Sequence, residues 1–488
     1  MREMSNVTVV LDGAREAVAR YAWREAFDLF AMADAVEPLG PADLDDMAEC
    51  AWWIGKMRHC IALRERAHAA YVKADEVRRA ARVAIRLGEH HADLLEVSDA
   101  SAWIQRATRL LEGEPEAAEH GWLSLAMGLM AHGEGEIKAA GHYAAEAAAI
   151  AARHGDKDLF ALGHAFQGLS LVFMGDIEPG LLMVEEATEG AVSGELGPRA
   201  TGWIYCMMIA VNAHLADWQR AGHWTEAATR WCDRQAINGF PGVCRVHRAE
   251  IMRLRGEFSE AAEEARTATV ELGSFNLMFA ALAFKELGEV RLKMGEIDAA
   301  EEAFRQANEM GVTPQPGLAL LLIERGKPQA AVSSLRRALA DRSLGPLDRG
   351  KLLPTQLEAA LLVGDVDGAH SVAAELEAIA TSHASPALRA SAEAAAAAVG
   401  LADGELGAAC LAAQEARRLY EEVDLSYEAA RVSLLLGLIH QAQGDAGSAR
   451  VEFSSALSTF ERIGAVPDAT RARQFFAAPG TRLVSPSG

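Results

Sequence analysis

Apolar and small residues return every three or four positions along almost the whole chain. The stretches they define are cut at near-regular intervals by a glycine followed by an acidic residue. Spacing of three or four marks amphipathic helices, and a glycine can take the left-handed conformation that ends one. In the clearest stretch Phe284, Leu287 and Gly288 precede Gly295, and Ala300, Phe304 and Ala307 follow it. The same offsets recur in Leu436, Gly437, Gly444, Ala449, Phe453 and Ala456, and in Gln167, Gly168, Gly175, Gly180, Val184 and Ala187. The pattern predicts an all-α chain in which one amphipathic helix turns sharply into a second, antiparallel one, with small residues where the two approach.

Turn glycines are expected at Gly55, Gly88, Gly135, Gly175, Gly256, Gly295, Gly326, Gly364, Gly404 and Gly444, with Ala216-Asp217-Trp218 filling the gap between Gly175 and Gly256. With Tyr21-Ala22-Trp23 at the start, this gives about a dozen hairpins. The offsets resemble the tetratricopeptide repeat, whose small residues stand at its eighth, twentieth and twenty-seventh positions and whose large apolar residue stands at its twenty-fourth. That resemblance implies an α-solenoid wound as a right-handed superhelix with a concave groove. Most steps run to about 40 residues rather than 34, so helices or loops are longer than the standard. Pro314-Gln315-Pro316-Gly317 interrupts helix, and the next turn, Gly326, comes early. The expected division is therefore a solenoid over 1–312, a second over 313–474, and a disordered tail over 475–488.

Half of the residues are hydrophobic, which supports a continuous core, and the net charge is −22. That charge argues against a phosphate-binding surface of the nucleic-acid kind. The longest apolar run, Trp203 to Val211, is far short of the roughly 20 residues that span a bilayer. The N-terminus carries no signal-peptide pattern. These features predict a cytoplasmic protein with no direct contact to nucleic acid or membrane, and its oligomeric state stays open. The six cysteines form no C-x-x-C pair and are expected as reduced thiols.

The central segments Trp203-Ile204-Tyr205-Cys206, Trp224-Thr225-Glu226-Ala227 with Trp231-Cys232-Asp233, and Cys244-Arg245-Val246-His247-Arg248-Ala249-Glu250-Ile251 carry a further resemblance. With Pro314 to Leu321, Tyr427 to Val432 and Ala465 to Asp468 following in order, they resemble the tetratricopeptide region of actinobacterial LuxR-type transcriptional regulators. Members of that family place a DNA-binding helix-turn-helix after the helical region, and some carry an ATPase or cyclase domain ahead of it. The last repeat here is followed by too few residues for that DNA-binding domain. No G-x-x-x-x-G-K-[ST] occurs, since Gly55-Lys56 precedes Met57 and Gly326-Lys327 precedes Pro328. The resemblance therefore implies the family's helical region alone.

All nine tryptophans lie between Trp23 and Trp231, and twelve of fifteen histidines lie at or before His247. Large aromatics in the first half either fill wide gaps between helices or line a pocket. Trp203 and Cys206 share a helix face, as do Trp224 and Trp231, and Cys244 with His247. Cys206, Cys232, Cys244 and His247 would have to converge from three helices to form a Cys3His zinc site; the alternative is that each is a core residue of its own helix. Arg245, Arg248, Arg253 and Arg255 form a basic stripe that either pairs with Glu257, Glu260, Glu263 and Glu264 or captures an acidic group. No serine sits in a G-x-S-x-G turn and no H-E-x-x-H occurs.

The expected function is thus a non-catalytic scaffold or ligand-sensing module, without cofactor or bound metal. It would hold a protein, a peptide or a small molecule in the concave groove through Trp203, Cys206, Trp224, Trp231, Cys244, Arg245, His247 and Arg248. Two alternatives are a LuxR-type regulator acting on DNA through a partner or missing domain, and a metal-dependent protein built on the Cys/His cluster.

Overall fold

The computed structural model describes residues 2–234, 241–341, 344–383 and 385–477. Every regular element among them is an α-helix. The first ten are α1 (Arg2–Ala19), α2 (Trp23–Asp34), α3 (Pro41–Trp53), α4 (Met57–Lys73), α5 (Val77–Asp93), α6 (Val97–Leu111), α7 (Ala118–Gly133), α8 (Ile137–His154), α9 (Lys157–Met174) and α10 (Ile177–Ser193). The central five are α11 (Pro198–His214), α12 (Trp218–Arg234), α13 (Pro241–Arg255), α14 (Phe258–Leu272) and α15 (Leu277–Lys293). Then come α16 (Ile297–Glu309), α17 (Gly317–Glu324), α18 (Pro328–Leu339), α19 (Pro346–Leu362) and α20 (Val366–Ser382). The last five are α21 (Pro386–Asp403), α22 (Leu406–Glu422), α23 (Ser426–Ala442), α24 (Ala446–Ile463) and α25 (Val466–Ala477). The fold is an all-α array of tandem helical hairpins of tetratricopeptide type.

The recurring offsets have a direct packing cause. A Cβ added to Gly288 would fall 2.5 Å from the Phe304 ring, and one on Gly437 would fall 2.4 Å from Phe453. Gly168 and Gly180 face each other so closely that a Cβ on either would meet the other's carbonyl oxygen. The small residue on the first helix receives the large side chain of the second, so neither can change size alone. The connecting turn follows from hydrogen bonding. Gly295 sits at φ 83°, its N–H bonds to Leu292 O, and Glu296 N–H reaches back to Arg291 O, the arrangement of a Schellman C-cap. At two of the turns the aspartate also caps the next helix: Asp445 accepts from Ser448 N (3.0 Å) and Asp365 from Gly368 N (3.0 Å).

One expected turn is displaced. Gly88 lies inside α5, where a Cβ would fall 2.7 Å from Ile104. It is the small helix-contact residue of its hairpin, and Ala100, Ile104 and Ala107 complete the register as buried residues of α6. The turn itself is at Leu95, a non-glycine at φ 57°, and Tyr21, Asp75 and Ala216 hold comparable turns. A search for glycine misses such turns because these residues tolerate the left-handed region only at a cost. The Pro314 to Gly317 interruption leaves α17 only eight residues long. α25 continues through Ala477, and the rest of the expected tail lies outside the described residues.

The chain forms two compact units. The first comprises Met1–Val211, Trp224–Cys244 and Ala268–Ala280. Its core contains Phe30, Trp52, Trp53, Ile85, Leu87 and Leu159, with Trp23 stacked on Trp53 at 5.3 Å. Segments distant in sequence meet inside it. Trp52 packs on Phe275 at 5.3 Å, and Asn276 Nδ2 donates to Asp93 (2.9 Å), 183 positions earlier. The second unit comprises Asn212–His223, Arg245–Thr267 and Ala281–Gly488. There too, helices far apart in sequence touch: Ser426 Oγ donates to Arg255 O (2.5 Å), 171 positions away, and Ser385 Oγ donates to Ala216 O (3.2 Å), 169 positions away. Phe258, Tyr427 and Phe460 share one apolar cluster. Both units therefore add long-range packing to the contacts between consecutive repeats.

Candidate functional site

The residues expected to form the central site separate into core and surface. In the first unit Cys206, Trp231 and Cys244 are buried, whereas Trp203 and Trp224 are half-buried. Tyr205 of α11 lies 6.1 Å from Trp224 and 6.0 Å from Trp231 of α12. The three thiols do approach one another: Cys232 Sγ and Cys244 Sγ are 3.8 Å apart, and Cys206 hydrogen-bonds with Cys244. That bond and burial push the Cys206 thiol well above its ordinary range. Among the described residues, the only group of three or more His, Cys, Asp or Glu ligand atoms within 4.8 Å of one another is His91, Glu96 and Asp99. There His91 Nδ1 already meets Glu96 (2.7 Å), which also accepts from Arg58 (2.6 Å).

In the second unit Arg245, His247 and Arg248 are half-buried. Arg245 and Arg248 both donate to Glu264 Oε2 of α14, at 2.9 and 2.8 Å. The basic stripe is thus held by a carboxylate that was among its expected partners. Arg253 turns inward to Glu286 and Glu289 of α15, with its Nη1 3.5 Å from Glu289. The two carboxylates push the Arg253 pKa upward, against the opposing effect of burial. A second network joins Arg431 to Glu358 (2.7 Å) and Glu428 (3.4 Å). Beside it Tyr427 donates to Asp468 (2.9 Å), and the Lys293 ammonium lies 3.9 Å from the Tyr427 ring centre.

The most unusual polar cluster is one that no local sequence pattern marked. In the first unit Arg82 and Arg86 stand one turn apart on α5, over the same Trp122 ring, with guanidinium carbons 3.6 and 5.1 Å from its centre. Arg86 donates to Glu89 Oε2 (2.8 Å), and Arg199 of α11 donates to that same oxygen (3.2 Å) while lying 4.4 Å above the Trp52 ring. Arg199 is also 3.7 Å from Glu49, which Arg64 engages at 2.5 Å. Arg82 has no carboxylate partner among the described residues, and its Nη1 is buried without a hydrogen bond. Beside the cluster His90 is fully buried, neither ring nitrogen makes a hydrogen bond, and its Nδ1 lies 3.9 Å from Asp93. Burial and the guanidiniums of Arg64, Arg199 and Arg86 hold its imidazole neutral. Burial, and then Arg86, push Arg199 down to about 10, while flanking cations outweigh burial to bring Glu89 down to about 2. Burial raises Asp93 to about 7. The i, i+4 arginine pair was the available signal. Arg199, which converts the pair into a cluster, lies 110 positions from Glu89.

A shallow groove of about 470 Å³ lies along α8 to α10 in the same unit, lined by residues including Phe160, His164, Glu186 and Leu196. His164 is already paired with Glu186 at 2.8 Å. No helix among the described residues is long and apolar enough to cross a membrane.

No family model matches this chain, and no curated protein does. Among solved structures it is similar to a chain from the crystal structure of the APC/C hetero-tetramer Cut9-Hcn1. The identity is 14%, the TM-score is 0.40, and the match covers 94% of this chain and 95% of that one.

Proposed function

We propose that this chain is a non-catalytic helical-repeat recognition module that binds a protein or peptide in the cytoplasm, of the kind found in the helical region of LuxR-type regulators. What supports the reading most is that the large aromatics Trp203 and Trp224 stay half-buried on a framework whose other expected aromatic, Trp231, is core. Exposed aromatic area on a rigid helix is a common anchor for a partner. In the second unit, Arg245 and Arg248 held by Glu264 supply a pre-positioned cationic edge. The LuxR relation rests on the ordered sequence motifs from Trp203 to Asp468.

The test is capture of a partner by the immobilised chain, identification by mass spectrometry, and titration of that purified partner. Trp224→Ala and Arg248→Ala are expected to weaken binding with helical content kept, while Arg417→Ala, paired to Glu452, leaves it unchanged. Equal weakening by Arg417→Ala would overturn the central location. Tight duplex-DNA binding by the chain alone at physiological salt would replace the scaffold reading with a direct DNA regulator.

A further inference from the structure

We propose that the groove along α8 to α10 of the first unit is a binding site for a small organic cation, an ammonium carried on an apolar body. It shares no residue with the central segment from Trp203 to Arg255, so failure of either reading leaves the other standing.

The repeat register itself builds the groove. Its floor is one face of α9, where Lys157, Phe160, Ala161 and His164 follow at i, i+3, i+4 and i+7. Small residues on the flanking helices, Ala151 of α8 with Ala187 and Gly190 of α10, leave the space above that face unfilled. The result is about 470 Å³, within the range of sites that take a small molecule. Midway along the floor the Phe160 side chain stays 43% exposed, its ring nearly parallel to the His164 imidazole and 5.6 Å from it. An aromatic face left open in a concavity offers contact to an apolar ring or to a cation.

Two ion pairs limit the length of the occupant. Lys157 Nζ lies 3.8 Å from Glu195 at the start of the floor, and His164 Nε2 meets Glu186 at 2.8 Å at its end. The floor between them is two helical turns, roughly 10 Å. A peptide running through would have to open both pairs, whereas a molecule of one or two rings fits between them.

Charge selects the cation. The lining carries three carboxylates, Asp156, Glu186 and Glu195, against Lys157 and His164. The acids stay in the majority even with His164 counted as a cation. Asp156 accepts from Trp122 Nε1 (2.8 Å) and Leu159 N (3.0 Å), so it contributes charge rather than a free acceptor. Glu186 gives one oxygen to His164, and Glu195 stands beyond hydrogen-bond distance of Lys157. Both keep acceptor capacity for an ammonium. The adjoining Arg153 and His154 of α8 do not offset them, because Glu116 holds both, at 2.9 and 3.2 Å.

The experiment titrates the full chain with naphthylmethylamine by isothermal calorimetry. The comparisons are naphthylacetate, with the same rings and the opposite charge, and methylamine, with the charge and no ring. Saturable binding of naphthylmethylamine is expected, and none of the other two over the same concentration range. Phe160→Ala is expected to weaken it about tenfold, and Glu186→Gln and Glu195→Gln about threefold each. All three positions are exposed, so helical content by circular dichroism should match the parent. Glu296→Gln, in the second unit, should bind as the parent does. Naphthylacetate binding as tightly as the amine, an affinity unchanged in the three groove variants, or no saturable binding of the amine overturns the site. Tighter binding of a short peptide bearing a leucine–lysine pair, lost in the same variants, overturns the small-molecule assignment in favour of a partner segment.

Discussion

The two compact units pair most of their sheltered arginines alike and differ at one, Arg82. In the second, Arg253 lies between Glu286 and Glu289 and Arg431 between Glu358 and Glu428, while Arg245 and Arg248 share one oxygen of Glu264. In the first, Arg64 meets Asp45 and Glu49, Arg86 and Arg199 share an oxygen of Glu89, and Arg82 alone of these has no carboxylate partner among the described residues. The hairpin framework is the same in both, since Gly88 receives Ile104 in one as Gly288 receives Phe304 in the other. The difference therefore comes from what the long-range contacts bring together. A cation between two acids is neutralised by them, whereas Arg82 lies against the face of Trp122, 3.6 Å from its ring centre.

The contrast is sharpest when a shared carboxylate is removed. Glu89→Gln leaves Arg86 and Arg199 without their common acceptor and is expected to cost about 3–5 kcal/mol in urea unfolding. An unchanged midpoint would show that the first unit does not depend on this pairing. In the second unit Arg253→Met strands two carboxylates and is expected to cost about 3 kcal/mol near neutral pH. A loss no larger than that of a surface substitution would show that Glu286 and Glu289 do not depend on Arg253.

The shared framework is probed by overpacking at one register position in both units. Ala100→Leu and Ala300→Leu, each at a buried small residue, should cost about 1–3 kcal/mol alike. Glu296→Gln, at an exposed position, should change little. If the two leucine variants differ greatly, the repeat geometry is not common to both units.

The smallest expected effect is on pH dependence. The unfolded Asp93 carboxyl releases its proton near 3.8, while burial holds it in the folded state to about 7. Between those values the folded chain binds more protons, so this group's contribution to stability is full below about pH 4 and is lost as pH rises through about 7. Asp93→Asn should flatten that part of the midpoint-against-pH curve. An unaltered slope would remove Asp93 from the network of the first unit.

Much of the framework was legible in the sequence because it is local. Helix period, turn glycine and small-to-large register all lie within one hairpin, so Gly288, Gly295, Ala300 and Phe304 could be placed from spacing alone. Leu95 and Gly88 show where this fails: a turn without glycine and a glycine without a turn are distinguishable only by packing. At the central segment, i, i+3 and i, i+4 spacing paired residues on each helix but could not show that Trp231, Cys206 and Cys244 face the core. The guanidinium cluster was invisible for a different reason. It joins residues from α3, α4, α5 and α11, and no periodicity connects Glu49 to Arg199.

The serine hydroxyl that reaches from Ser426 to the Arg255 carbonyl, with Phe258 and Lys293 seated on Tyr427, means that the second unit counts its repeats. In an ideal linear array one hairpin can be inserted or removed and its neighbours simply close up. Here the interval between these partners must hold a set number of helices for the same side chains to meet again. Deleting the α21–α22 hairpin would shift every later residue past its counterpart rather than merely shorten the array. Natural variants of this unit should therefore vary in loop length and surface composition while keeping hairpin number constant.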